Sequence, residues 1–485
     1  MNRRAKVICT IGPSSDSRER IFSLIRNGMD VARLNFSHGD YESHGRAIEI
    51  IREGSERYRR PVAILQDLMG VKIRIGNVKN GNIFLKKGKE IFLMPGSEES
   101  DEERLFISYP NLIRDARKGE KILLDDGLIQ LEILAIERGR LKARVIEGGI
   151  LRDKKGVNLP FRLSLSTFTE KDARDLEFGL EKGVDYVALS FVKRASDIRI
   201  LRKWLDEKEA TIPIIAKIER PEAVMEIEEI LNEADGIMIA RGDLGVEVKP
   251  EEVPLIQKRL IGLANRKGKI VITATQMLDS MREHLRPTRA EATDVANAII
   301  DGSDALMLSG ETASGRYPVE SLRMMNRIIE YTERNYPISP YRELVEPNRE
   351  LVESNRKLEV ADFSEAVADA ACRAAEDVRA RCIVAFTHSG FTARLISKFR
   401  PTVPIIAFTP FERVRRIMSL FWGVRPEIMR TLSSTDEMIK EVEISLLKRN
   451  LARRGEVIVI TASIPVLGSG RTNMVKLHRI GEGLS

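Results

Sequence analysis

The chain has 485 residues, 43% of them apolar, enough for about three domains of roughly 150 residues each and for a large buried core. No run of about 18 or more uncharged apolar residues occurs, so no transmembrane helix is expected. The net charge of +7 is dispersed among 72 acidic residues and aromatics make up only 5%, which speaks against nucleic acid as the main partner and for small phosphates or carboxylates.

The amino-terminal MNRRAKVICTIG enters a strand-like segment at once and carries no signal-peptide cleavage pattern. Cys9, Cys372 and Cys382 are too few for a disulfide framework and poorly spaced for a metal. A reducing cytoplasm is the expected compartment, with no membrane association.

In chain order, short β-branched runs alternate with amphipathic helical segments. The runs are KVICTIG (6–12), VARLNFS (31–37), VAILQDL (62–68), YVALSFV (186–192), IIAKIE (214–219), GIMIARG (236–242), KIVITATQ (269–276) and DALMLSG (304–310). Eight such βα units predict a parallel (β/α)8 barrel within 1–72 and 155–336. Between the third and fourth runs the helical period gives way to strict alternation with turn pairs, as in EKILLDDGLIQLEILAIERGRLKARVIEGG. This predicts a small all-β domain at 73–154, inserted at the barrel mouth as a lid. A proline-bearing polar stretch at 337–360 reads as a linker. Beyond it βα alternation resumes, and 361–485 is expected to form an open α/β domain.

Each barrel run is apolar at its start and polar at its end, where barrel enzymes keep their chemistry. Ser37, Asp67, Ser190, Lys217, Glu219, Gly242, Asp243 and Thr275 all fall there. Strand alternation puts Lys217 and Glu219 on one side, which alone allows a plain ion pair. Asp243 ends the next strand and supplies a second carboxylate. Two carboxylates with substrate oxygens suit Mg2+, and neither histidine nor cysteine lies nearby for zinc. The turn from Gly242 to Gly245 presents free backbone N–H groups to a carboxylate, and Thr275 adds a hydroxyl. Lys217 beside them would stabilise an enolate or a transferring phosphoryl group. Arg33 and Asn35, with Asp67 and Arg74, suit a phosphoryl group.

The segments ARLNFSHG, IPIIAKIERPEAV, GIMIARGDLGVE, TATQMLDSM and RPTRAEATDVANAIIDGSDALMLSGETASGRYPVE resemble the pyruvate kinase family. CTIGPSS and KKGVNLP extend the likeness over nearly the whole chain, in order. The resemblance implies phosphoenolpyruvate, ADP, pyruvate and ATP as substrates and products, with Mg2+, or alternatively Mn2+, held by Glu219 and Asp243. It implies that Lys217 neutralises the transferring group, that Arg33 holds the phosphoryl group, and that Thr275 lies on the proton route. Arg74, Lys155 (or its neighbour Lys154) and the loop with Asn35 and His38 would serve the nucleotide. A homotetramer is implied as well.

The third-strand motif departs from the family's LDTKGPEIRTG and reads QDLMGVKIRIG. Asp67, Gly70 and Arg74 stay; Leu68, Lys72 and Ile75 replace Thr, Glu and Thr. This combination resembles the branch that does not need K+. The Lys72 ammonium would supply the charge of the ion at a site otherwise framed by Asn35, Ser37 and Asp67. In THSGFTARLISKFRP, the residues Thr387, Ser389, Gly390 and Thr392 surround a helix start, which implies a phosphate cradle for a sugar-phosphate or AMP effector. The loop LGSGRTN is expected to close over it.

Two other readings compete. A Mg2+-dependent aldolase or lyase would share the carboxylates but needs no Arg33, Lys217 and lid around a phosphate. A non-catalytic sensor would be expected to have lost a ligand or the lysine, and Lys217, Glu219, Asp243 and Thr275 are all present.

Overall fold

The β-branched runs form eight strands, Lys6–Ile11, Val31–Asn35, Ala63–Asp67, Tyr186–Leu189, Ile214–Ile218, Gly236–Ala240, Ile270–Ala274 and Ala305–Leu308. Branched side chains lose rotamer freedom in a helix but pack well on a pleated surface. In the computed structural model, which describes residues 3–161, 163–336, 363–431, 434–463 and 472–482, these strands close into a barrel in chain order, with the eighth beside the first. Parallel register sets Lys6 opposite Ala305 and Ile8 opposite Val31. Seven of the eight are buried at every residue and the second at all but Asn35, as expected for parallel strands packed on both faces.

The described residues divide into two compact units, one within 1–66, 179–187 and 261–485, the other within 67–178 and 188–260. The second unit contains the predicted all-β insertion. Its six-stranded sheet includes Glu90–Pro95, Lys121–Leu124, Ile129–Glu137 and Arg140–Glu147, joined mostly as antiparallel neighbours. Alternating residues such as Ile91, Leu93, Leu131, Ile133 and Leu141 turn inward to one apolar core.

The first unit carries the carboxy-terminal α/β sheet. Its strands lie in the order Val424–Ile428, Ile405–Thr409, Ile383–Phe386, Val457–Ala462 and Met474–Arg479, the first four parallel and the last antiparallel. The edge strand Val424–Ile428 and the helix Thr435–Lys448 are additional to the sequence reading. Buried carboxylates of barrel residues pair with arginines, three of which (Arg394, Arg400 and Arg416) come from the carboxy-terminal region of the same unit. Asp185 receives Arg52 and Arg416, both at 2.8 Å, and Asp304 receives Arg394 at 3.1 Å and Arg400 at 2.9 Å. The expected linker at 337–360 lies outside the described residues, as does most of LGSGRTN. Among the described residues no helix is long and apolar enough to cross a membrane.

Candidate active site

In the second unit, three side chains from the ends of three barrel strands, Asp67, Ser190 and Glu219, converge on the Lys217 ammonium. Lys217 Nζ lies 2.8 Å from Glu219 Oε1, 3.2 Å from Asp67 Oδ1 and 2.7 Å from Ser190 Oγ. All four residues are buried. Ser190 donates its proton to the Leu68 carbonyl at 2.7 Å, so its oxygen faces Lys217 as an acceptor. Glu219 Oε2 accepts the Phe191 N–H at 2.7 Å. Phe191 sits at φ 55°, a costly conformation for a bulky residue that persists only where its surroundings fix it. Burial raises the Glu219 carboxyl above the ordinary range despite the Lys217 ion pair, and the Asp243 charge pushes it the same way.

Asp243 is exposed and lies in the first turn of the helix Arg241–Glu247, which begins directly after the sixth barrel strand. It borders a cavity of about 130 Å³ together with Lys72, Asp126, Lys193, Arg220 and Glu247. Among the described residues no group of three or more His, Cys, Asp or Glu side chains is arranged to hold a metal. The donor set of Glu219 and Asp243 nevertheless fits Mg2+, which uses one or two carboxylates and completes its shell with water and substrate oxygens. A buried carboxyl raised by burial and by a second carboxylate is also one that a divalent cation would relieve.

Lys72 is exposed, and among the described residues it enters no hydrogen bond or ion pair. Partial desolvation, then the nearby Arg74, holds its ammonium below the usual lysine range, opposed by Asp243 and Asp126. Leu68 and Ile75 are buried and apolar, so neither side chain offers an oxygen to a cation. Nothing in the structure gives Met69 a role. Arg74 pairs with Gly156 across the two hinge segments of the insertion, and the Ile75 N–H reaches the Lys155 carbonyl at 2.9 Å. Lys155 Nζ meets Asp125 at 2.8 Å, in the turn that also carries Asp126, whereas Lys154 is exposed at φ 57°.

In the first unit, buried Arg33 donates to Thr10 Oγ1 at 3.0 Å, and Thr10 donates to the Leu308 carbonyl at 2.9 Å. Asn35, Ser37 and His38 share one loop. The Asn35 side chain accepts the Ser37 N–H at 3.1 Å, an Asx turn that leads into the helix Tyr41–Arg57. Thr275 and Gln276 stand at φ 69° and 54°, and a β-branched residue is a genuine outlier there. Buried Glu311 pins this loop by accepting the Leu278 N–H at 3.0 Å and the Ser309 N–H at 2.8 Å. Thr275 Oγ1 donates to the Ala274 carbonyl at 2.6 Å.

The hydroxyls of the carboxy-terminal loop are largely engaged with one another or with backbone. Thr387 Oγ1 accepts the Gly390 N–H at 2.8 Å, and buried Thr392 bonds Thr472 at 2.7 Å. Ser389 is exposed, and Gly390 takes φ 90° at the cap of the helix Phe391–Lys398. Sequence reasoning missed Thr10, Asn158, Arg220, Glu247 and Glu311. For Arg220 the signal was its place directly after Glu219, and for Glu311 its place in LSGETA.

A closed barrel with its charged side chains gathered at strand ends defines a (β/α)8-barrel enzyme. A family described as "Pyruvate kinase, barrel domain" matches residues 2–322, and one described as "Pyruvate kinase, alpha/beta domain" matches residues 365–478. A pyruvate kinase of Geobacillus stearothermophilus is 46% identical over 489 residues, covering 100% of this chain and 82% of that protein. One of Staphylococcus aureus is 45% identical over 486 residues, covering 100% and 81%. A solved pyruvate kinase structure from Cryptosporidium parvum superimposes with a TM-score of 0.92 at 36% identity, covering 99% of this chain and 96% of that one. The chain belongs to the pyruvate kinase family, and is thereby a phosphate-transferring enzyme.

Proposed function

We propose that this chain moves the phosphoryl group of phosphoenolpyruvate to ADP and protonates the resulting enolate to pyruvate, with Mg2+ held by Glu219 and Asp243. The supporting observation is the Lys217 ammonium, fixed 2.8 Å from Glu219 and 3.2 Å from Asp67 at the strand ends. When bound, Mg2+ neutralises charge on phosphoryl and carboxylate oxygens. Lys217 adds a fixed positive charge where charge develops in transfer, in a site that excludes most water. Arg33, aimed by Thr10, clamps the phosphoryl group. The backbone at Gly242 and Asp243 receives the substrate carboxylate, and Arg74, Lys155 and the Asn35–His38 loop receive the nucleotide. Thr275 directs its own proton to Ala274, so it serves as one link in a proton relay.

Lys72 takes the place of a monovalent cation. Its ammonium is uncommitted at the cavity that Asp243 borders, and the Leu68 and Ile75 side chains offer no hydroxyl to an ion. Activity in a K+-free buffer, with a quaternary ammonium salt holding ionic strength, is expected to stay within a few-fold of that with K+. Lys72→Glu should lose about a hundredfold in kcat/KM without K+ (a two-decade loss is about 2.7 kcal/mol) and recover when K+ is added. A hundredfold loss in the unsubstituted enzyme on K+ removal would contradict this assignment.

The loop from Thr387 to Thr392 is proposed as an effector phosphate site, supported by the left-handed Gly390 and the helix start it opens. Titrating AMP, ribose 5-phosphate and fructose 1,6-bisphosphate into steady-state assays should reveal one that shifts half-saturation for phosphoenolpyruvate. A flat response to all three removes the regulatory role.

A further inference from the structure

Glu247 ends the helix whose first turn carries Asp243, and its side chain is buried, 2% exposed. Its Oε1 lies 3.4 Å from Arg220 NH1 and accepts the Asn158 side-chain amide at 3.3 Å. Its Oε2 is buried without a hydrogen-bond partner. Arg220 directly follows Glu219 and is itself buried. Arg220 NH2 also donates to the Leu159 carbonyl at 2.9 Å and the Phe161 carbonyl at 3.1 Å, on the segment that leads back from the β insertion. One ion pair therefore joins three things: the residue after Glu219, the helix of Asp243, and the return hinge.

A buried carboxyl with one idle oxygen is expensive to keep. Burial pushes Glu247 up to about 7 even with Arg220 beside it. An apolar pair of similar volume would pack the same space at lower cost, so the pair is better explained by what it positions than by what it stabilises. Two carboxylates, one just past a strand end and one in the helix after the next strand, make a metal site only if their separation is held. Neither Glu219 nor Asp243 fixes the other directly, and Glu219 is already drawn toward Lys217 and Phe191.

We infer that Glu247, through Arg220, is a positioning residue that sets the separation of Glu219 and Asp243 and links it to the return hinge. The inference rests on the metal reading above. Partners of this kind behind metal ligands contribute about 10- to 100-fold in affinity.

The test is Mn2+ binding to the full-length enzyme without substrates, followed by the electron spin resonance signal of the free ion, with melting temperature measured beside it. Glu247→Ala is expected to weaken Mn2+ binding about tenfold or more. Glu247→Gln keeps an acceptor for Arg220 and Asn158 and should recover most of that loss. Arg220→Lys, which cannot span Glu247 and both carbonyls, should weaken Mn2+ about as much as the alanine variant, and it decides the matter if Glu247→Ala does not fold. Asp243→Asn is the control for the underlying site. If Asp243→Asn weakens Mn2+ while folded Glu247→Ala and Arg220→Lys bind it within twofold of the unsubstituted enzyme, the positioning role is overturned. If Asp243→Asn itself leaves Mn2+ binding unchanged, the metal assignment fails, and the inference with it.

Discussion

Lys217→Met should reduce kcat for pyruvate formation by about 10³-fold or more, the scale on which a fixed cation acts in phosphoryl transfer. The same substitution has a structural cost. Lys217 is the ion-pair partner of two buried carboxylates, Glu219 and Asp67, and removing it leaves both without that counter-charge. Breaking one side of a buried pair costs about 3–5 kcal/mol, so the metal-free variant should melt well below the unsubstituted enzyme. Mg2+, proposed to be held by Glu219 and Asp243, would restore positive charge beside Glu219. Since a ligand at about a hundred times its dissociation constant adds about 2.7 kcal/mol, saturating Mg2+ should recover much of the lost stability and none of the rate. Calorimetry with and without Mg2+, set beside steady-state rates, reads both effects. Full activity in the variant would remove Lys217 from the chemistry.

Glu219→Gln should move stability the other way. Burial raises the Glu219 carboxyl, so the folded state disfavours its charged form. A group raised in the folded state contributes stability that is present below its ordinary value of 4.5 and is lost as pH rises above it. Glutamine never ionises, keeps an acceptor for Lys217 and Phe191, and leaves Asp67 as the counter-charge. Without metal, the variant should match the unsubstituted enzyme near pH 5 and gain on it as pH rises toward 8. The melting-temperature increase on adding Mg2+ should shrink, and kcat/KM at fixed Mg2+ should fall on the order of 10²–10³-fold. An unchanged Mg2+ half-saturation in activity assays would rule Glu219 out as a ligand.

The opposite signs of these two substitutions follow from one arrangement, and its parts were not equally legible in the sequence. The eight barrel strands were plain, because β-branched runs bounded by amphipathic helices leave few alternatives. Lys217 and Glu219 were legible because alternation fixes their common side, and the observed 2.8 Å contact follows from it. The junction of Arg220, Glu247 and Asn158 was not. Its members lie 27 and 89 positions apart, and no local period links such partners. The strand Val424–Ile428 was hidden by Pro426 and Glu427, which interrupt its apolar run. It lies at the edge of its sheet, where proline is tolerated. The left-handed Thr275 was also invisible, since nothing in TATQ announces it and its loop is held by distant Glu311.

The most direct test of phosphoryl transfer at this site is pyruvate formation from phosphoenolpyruvate, assayed with Mg2+ in K+-free buffer, with ADP present and then omitted, and with ATP quantified in parallel. The account predicts pyruvate only when ADP is present, one ATP for each pyruvate, and loss of the reaction when Mg2+ is chelated. Pyruvate released without ADP, or pyruvate formed with no matching ATP, would contradict it.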